Sequence, residues 1–298
     1  MAADKAQLSA LVEMSNPQAI YDEVKTIITA IDPSFNFEYL AKAFSDMEKL
    51  FLGEYAGFGK SRSRYYDFPG TAGVFLAMSR LIHGAVIDGK KFSSQELNIG
   101  LISALLYSTG FIYDDKKTAE VNMQSAPLLI KKSDEFIQDY CATHPYFKDA
   151  ALQFEEILFC AMGDTNTEEK KFYWPQSRLF GKMLGAADIL GRMADRYYLE
   201  RLIFLYHEFQ KAGLERFMNE LDLLSYAVNY YYAIRNKLSG ELQDINRYLV
   251  NHFKKRWGID YDLYLATIEK SIHYLQVIIG NYKTEVNSYL RRNLPAAR

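Results

Sequence analysis

The stretch that most constrains the fold is "FSSQELNIGLISALLYSTGFIYDD", residues 92–115. Ser93 and Glu96 form a capping-box pattern, in which the serine side chain reaches forward to one backbone N–H and the glutamate reaches back to another. The run that follows, Leu97 to Tyr113, is apolar apart from interruptions such as Asn98, Ser103, Ser108 and Thr109. It falls short of the ~20 apolar residues that a membrane span needs. A helix of this kind has to be covered on every side, so it is expected at the centre of a helical core.

The rest of the chain is written in the same period. "SNPQAIYDEVKTIITAI" sets Asn16 as N-cap and Pro17 at the first helical position, with Ile20, Val24, Ile27 and Ile31 on one stripe. Asp32 and Pro33 repeat the start signal ahead of a second stripe, Leu40, Phe44, Met47 and Leu50. Further helices are predicted over 133–140, 148–162, 175–212 with a break, 215–237, 240–255 and 261–292. No segment alternates as a strand with hairpin turns, and no repeat or flexible linker divides the chain. One all-α domain over residues 1–298 is expected, with N-terminal helices in 1–59, a core in 60–210 and C-terminal helices in 211–298.

The last helix is the most regular. Tyr261, Leu265, Ile268, Ile272, Leu275, Ile279, Tyr282, Val286 and Tyr289 alternate steps of four and three, as a coiled-coil seam does. Either this long C-terminal helix lies along its own domain, or it pairs with a protein partner or a second copy to make a homodimer.

Composition narrows the partners. Lys and Arg total 35 against 37 Asp and Glu, so a net charge of −2 offers no field to gather nucleic acid or anionic lipid. Neither nucleic acid nor a membrane is expected as a partner. Cys141 and Cys160 show neither CxxC spacing nor a disulfide-dense pattern and read as buried free thiols of a reducing compartment. The N-terminus lacks the apolar run and cleavage site of a signal peptide, which predicts a cytoplasmic protein.

"SRYYDFPGTAGVFLAMSRLIHG", followed by "SQELNIGLISALLYSTGFIYDD", resembles the catalytic region of the HD superfamily of metal-dependent phosphohydrolases, in its cyclic-nucleotide phosphodiesterase branch. The resemblance spans residues 60–210 and implies a multi-helix HD-domain/PDEase-like bundle. In that branch a motif Y-H-[ND]-x-x-H-[AT] opens a helix, its first His serving as acid and its second binding metal. A His-Asp pair ends a later apolar helix, and an Asp on another helix completes the shell. Imidazole and carboxylate bind divalent cations, which activate water and neutralise phosphate.

Tyr65, Asp67, Thr71 and Val74 match the first motif, but Tyr66 stands at the acid His and Gly70 at the metal-binding His. Tyr107 and Ser108 replace the His-Asp pair, and Phe111 is apolar where another His often follows. Only Asp188, in "FGKMLGAADILGRMADRYY", keeps its role; Gly181 and Gly185 beside it would let another helix come close, and Asp195 follows on nearly the same face. A shell reduced to one carboxylate implies no bound metal and no cofactor. The resemblance thus implies a pseudoenzyme: a ligand-binding, regulatory or protein-interaction module.

Its ligand pocket would be lined by Tyr66, Tyr107, Ser108 and Asp188, unless the two tyrosine rings plug it. Lys60, Arg62 and Arg64 precede the first motif and would meet a small anionic or nucleotide-like ligand at the mouth, or form a solvated loop. The alternative is an atypical Mg²⁺- or Mn²⁺-dependent phosphohydrolase acting on a nucleotide-like phosphoester. It would use Asp188 with His83, Asp114 and Asp115. A hydrogen-bonded structural role is the commoner one for a histidine such as His83, and no two of the five histidines are spaced as a helical ligand pair. "GEYAGFGKS" is no P-loop, because Glu54 occupies the position that needs the first glycine.

Overall fold

The strongest start signals are built as written. In the computed structural model, Asn16 Oδ1 accepts from the backbone N–H of Gln18 and Ala19 at 3.0 and 3.3 Å, ahead of Pro17. Ser93 Oγ accepts from Glu96 N at 3.2 Å while Glu96 Oε2 accepts from Ser93 N at 2.7 Å, closing the capping box. The structure describes residues 6–61, 63–112, 126–161, 171–211, 213–281 and 290.

The chain is all-helical, with no strand among the described residues. The helices are α1 (Leu8–Leu11), α2 (Pro17–Ile31), α3 (Glu38–Leu52), α4 (Phe68–Ile87), α5 (Ser94–Leu106), α6 (Ala126–Thr143) and α7 (Ala151–Ala161). They continue as α8 (Ser177–Met193), α9 (Tyr198–Lys211), α10 (Glu220–Ser239), α11 (Arg247–Trp257) and α12 (Leu263–Asn281). The apolar run becomes part of α5, buried throughout from Leu97 to Leu106, but the centre of the fold is α4, which packs against α2, α3, α5, α8 and α11. Among the described residues α4 is the one helix long and apolar enough to cross a membrane, and most of it is buried inside the chain.

Close approaches are made at glycines. A Cβ at Gly84 would lie 1.8 Å from the carbonyl oxygen of Tyr248, so α4 and α11 touch backbone to backbone there. Gly191 meets Gly73 O and Val74 Cα, each at 3.0 Å from a would-be Cβ, which sets α8 directly on α4. Gly181 and Gly185 do the same for α7, meeting Cys160 and Ala161. Cys141 and Cys160 are both buried.

Several expectations change. Asp32 does not start α3; it ends α2, accepts from Ser34 N at 2.9 Å and from Ser94 Oγ at 2.6 Å, and α3 begins only at Glu38. The helix predicted over 240–255 begins at Arg247, because Gln243 and Asp244 both take left-handed backbone at φ 52°, which turns the chain out of α10. The break expected within 175–212 falls between Met193 and Tyr198. In α12, Ile268, Ile272 and Leu275 of the seam are buried, and the helix packs on α1, α8, α10 and α11. The described part of the seam therefore lies along its own domain; at its end Ile278 is buried and Ile279 only half-buried, since an α-helix of 3.6 residues per turn drifts off a 3.5-residue repeat. Tyr282, Val286 and Tyr289 lie outside the described residues.

Candidate functional site

The site forms where the N-terminus of α4, the end of α5 and the facing side of α8 meet. Asp67 caps α4, its Oδ1 accepting from Gly70 N at 2.8 Å. Upstream, the loop is fastened by Glu208 of α9, which accepts from Ser63 Oγ at 2.9 Å and from Arg64 N at 2.6 Å. Burial raises the Glu208 carboxyl above its usual value, and those hydrogen bonds pull it part of the way back. Arg201, also on α9, joins the pieces: its Nη1 lies 2.7 Å from Asp67 Oδ2 and donates to Arg64 O at 3.0 Å, and its Nε is 2.8 Å from Asp195 Oδ2. At the other edge Ser133 of α6 donates to Tyr107 O and accepts from Gly110 N, both at 2.8 Å, which holds the turn after α5.

At the centre is a side chain that the motif comparison does not provide for, Arg192. It lies one helical turn beyond Asp188 on α8, with Nε 2.7 Å from Asp188 Oδ1. Its Nη2 donates to Ser108 Oγ at 2.6 Å, and its guanidinium carbon is 4.8 Å from the centroid of the Tyr66 ring. Phe111 stacks on that ring at 3.4 Å with the planes 13° apart. A Cβ at Gly70 would come within 3.3 Å of Arg192 Nη1, so the missing side chain of Gly70 is the room into which the guanidinium reaches. Nη1 is buried and has no hydrogen-bond partner among the described residues.

The electrostatics follow from burial. Burial works against the Arg192 charge, but Asp188, Tyr66 and Tyr65 more than offset it and its pKa is raised. Burial pushes the Tyr65 phenol up to about 12 and lifts those of Tyr66 and Tyr107 well above the ordinary value. All three stay neutral at any working pH and serve as hydrogen-bonding or stacking groups, not as bases.

The structure thus gathers Tyr66, Gly70, Ser108 and Asp188, with Tyr107 near enough to feel the charges of Asp188 and Arg192. His83 is elsewhere: from Gly70 the α4 axis runs about 20 Å to reach it. There its Nδ1 lies 2.9 Å from His252 Nδ1, a pair that no helical spacing announces because the two residues are 169 apart. The structure pairs His83 with His252 and Asp188 with Arg192, and among the described residues it does not gather the two into one metal set. Arg64 does not face the site with its charge either; its guanidinium lies 3.7 Å from the Phe204 ring centroid, where the cation is held by the ring face. Lys60 is exposed on the loop after α3, and Arg62, Asp114 and Asp115 lie outside the described residues.

These residues do not fit a divalent metal. Asp188, the one carboxylate that the resemblance would supply, is bound to Arg192, and a cation there would sit against a buried guanidinium of like charge. Among the described residues no three His, Cys, Asp or Glu side chains gather as metal ligands. The signal for Arg192 was in the sequence: Asp188 and Arg192 at i and i+4, acid first, is the favourable order for a helical ion pair. Comparison with family models, with curated proteins and with solved structures finds no match to this chain.

Proposed function

We propose that this chain is a non-catalytic binding or regulatory protein built on an HD-domain/phosphodiesterase-like bundle, in which a guanidinium has taken the place of the metal. One observation carries the reading. Arg192 bonds at once to Asp188 and Ser108, beside Gly70 and Tyr66; at the first three of these the resemblance expects metal ligands, and at Tyr66 the acid. An arginine supplies fixed positive charge but has no vacant coordination site and cannot lower the pKa of a bound water as a metal does. It suits holding an anion, and the Tyr66–Phe111 stack supplies an aromatic wall for a planar ring. A small anionic, nucleotide-like ligand that is bound and not hydrolysed is the class this arrangement favours.

The test has two arms on protein purified without chelators. Metal content by mass spectrometry is expected to be well below one ion per chain, and Mn²⁺ is expected not to stimulate hydrolysis of bis(p-nitrophenyl) phosphate. In the second arm a panel of mononucleotides is expected to raise the melting temperature, and Arg192→Leu to abolish that rise. Stoichiometric metal or metal-dependent turnover would overturn the reading and restore the phosphohydrolase.

A further inference from the structure

Arg80, midway along α4, is fully buried at 0% exposure, yet it has no ion-pair partner among the described residues. Its Nη1 donates to Tyr264 Oη at 2.9 Å. Around it stand the rings of Phe253, Trp257 and Tyr264, with centroids 5.4, 5.8 and 5.6 Å from the guanidinium carbon. The acids of the neighbourhood are occupied. Asp262 accepts from Asn246 Nδ2 and from the backbone N–H of Tyr264 and Leu265, and Glu23 pairs with Arg256 at 2.8 Å.

What remains unmade is specific. Nε and Nη2 of Arg80 both lack a partner, and these two N–H groups point the same way along one edge of the guanidinium. That edge is the fork a carboxylate or phosphoryl group takes side-on, through two oxygens at once. A buried cation with two idle donors is strongly disfavoured, and aromatic faces offset only part of that cost. A second idle nitrogen, Nε2 of the fully buried His252, lies against the same two rings: His252 is 5.2 Å from Phe253 and 5.4 Å from Trp257. In the tautomer in which His83 donates through Nδ1, His252 carries its hydrogen on Nε2 and offers a third donor; in the other, Nε2 is an acceptor.

We propose that the Arg80 fork, between α4, α11 and α12, is a binding site for an oxyanion that presents two oxygens side by side, a carboxylate or a phosphoryl group. Lys255 adds positive potential around the histidine pair, as does Arg256, the latter reduced by its pair with Glu23. Entry is short: Trp257 is half-buried and is the last residue of α11, and Gly258 after it takes left-handed backbone at φ 69°. Trp257 is thus the ring of the cage that reaches solvent. The site is independent of Arg192, which lies near the start of α4.

The test is a set of melting curves and tryptophan emission spectra in sodium formate, inorganic phosphate and sodium chloride at matched ionic strength. The proteins are wild type, Arg80→Lys and Arg80→Met. Wild type is expected to show a rise of about 2 °C at ten times the midpoint concentration of formate or phosphate, with a saturable change in emission from Trp257. Lysine keeps the charge but loses the fork, and methionine keeps only the stem, so both variants are expected to lose the response. Formate alone acting would assign a carboxylate; phosphate alone would assign a phosphoryl group. The same shift in both variants, or no shift beyond that of chloride, overturns the proposal, and if the lysine variant fails to fold the methionine variant decides it.

Discussion

Asp188→Asn separates an ion pair from a metal site by its size and by its response to a chelator. The side chain of Arg192 is 8% exposed and that of Asp188 is 25% exposed, so the arginine is the member that suffers when the pair is broken. Asparagine keeps the shape and an oxygen that can accept from Arg192 Nε, but removes the counter-charge. Breaking a fully buried pair costs about 3–5 kcal/mol; partial exposure and the retained hydrogen bond reduce the expectation here to about 2 kcal/mol. In a chain of this size that lowers the melting temperature by about 3 °C. Urea unfolding and thermal melts would be run on both proteins with and without a chelator. An ion pair makes the loss the same in both conditions. If Asp188 instead holds a metal, the chelator will bring wild type down to the level of the variant. A loss under about 0.5 kcal/mol, or a wild type sensitive to chelator, would refute the placement of Arg192 as the central cation.

Two further outcomes can be checked by urea denaturation. Gly84→Ala places a methyl 1.8 Å from Tyr248 O and forces α11 off α4, which should cost more than about 4 kcal/mol, whereas Gly280→Ala in α12 meets nothing within 4 Å and should gain up to about 1 kcal/mol. His83 is held down to about 4, first by burial and then by Arg256 and Lys255, so between pH 6.5 and 4 the unfolded chain takes up a proton that the folded chain refuses. Its contribution to stability is intact above pH 6.5 and is lost as pH falls, by up to about 1.4 kcal/mol per unit; burial holds His252 beside it low as well, so His83→Leu should roughly halve the slope that the pair produces across that window.

What could be read in the one-dimensional chain was local. Asn16 with Pro17 and Ser93 with Glu96 act within three or four residues, so they work the same way whatever the rest of the molecule does. The buried stripes of α2, α3 and α12 were likewise readable, because 3.6-residue periodicity marks the face that must be covered. Where local signals misled, a competing local use explains it. Asp32 has an oxygen that can start a helix or close a turn, and here it closes the turn at Ser34 and reaches across to Ser94.

The candidate site was half readable. Tyr66, Gly70, Ser108 and Asp188 could be nominated from spacing and likeness, and they do converge; the group they converge on could not. Arg192 meets Ser108 across a separation of 84 residues because Gly73 and Gly191 let α4 and α8 touch, a consequence of packing that neither helix states by itself. His83 with His252 and Arg80 with Tyr264 belong to the same class, joined over 169 and 184 residues. The sequence by itself determined that this protein is helical, where its firmest helices begin and which of their faces are hidden. Only the tertiary structure decided which face meets which, because hydrophobic burial is non-directional: it demands cover for an apolar stripe without naming the helix that provides it.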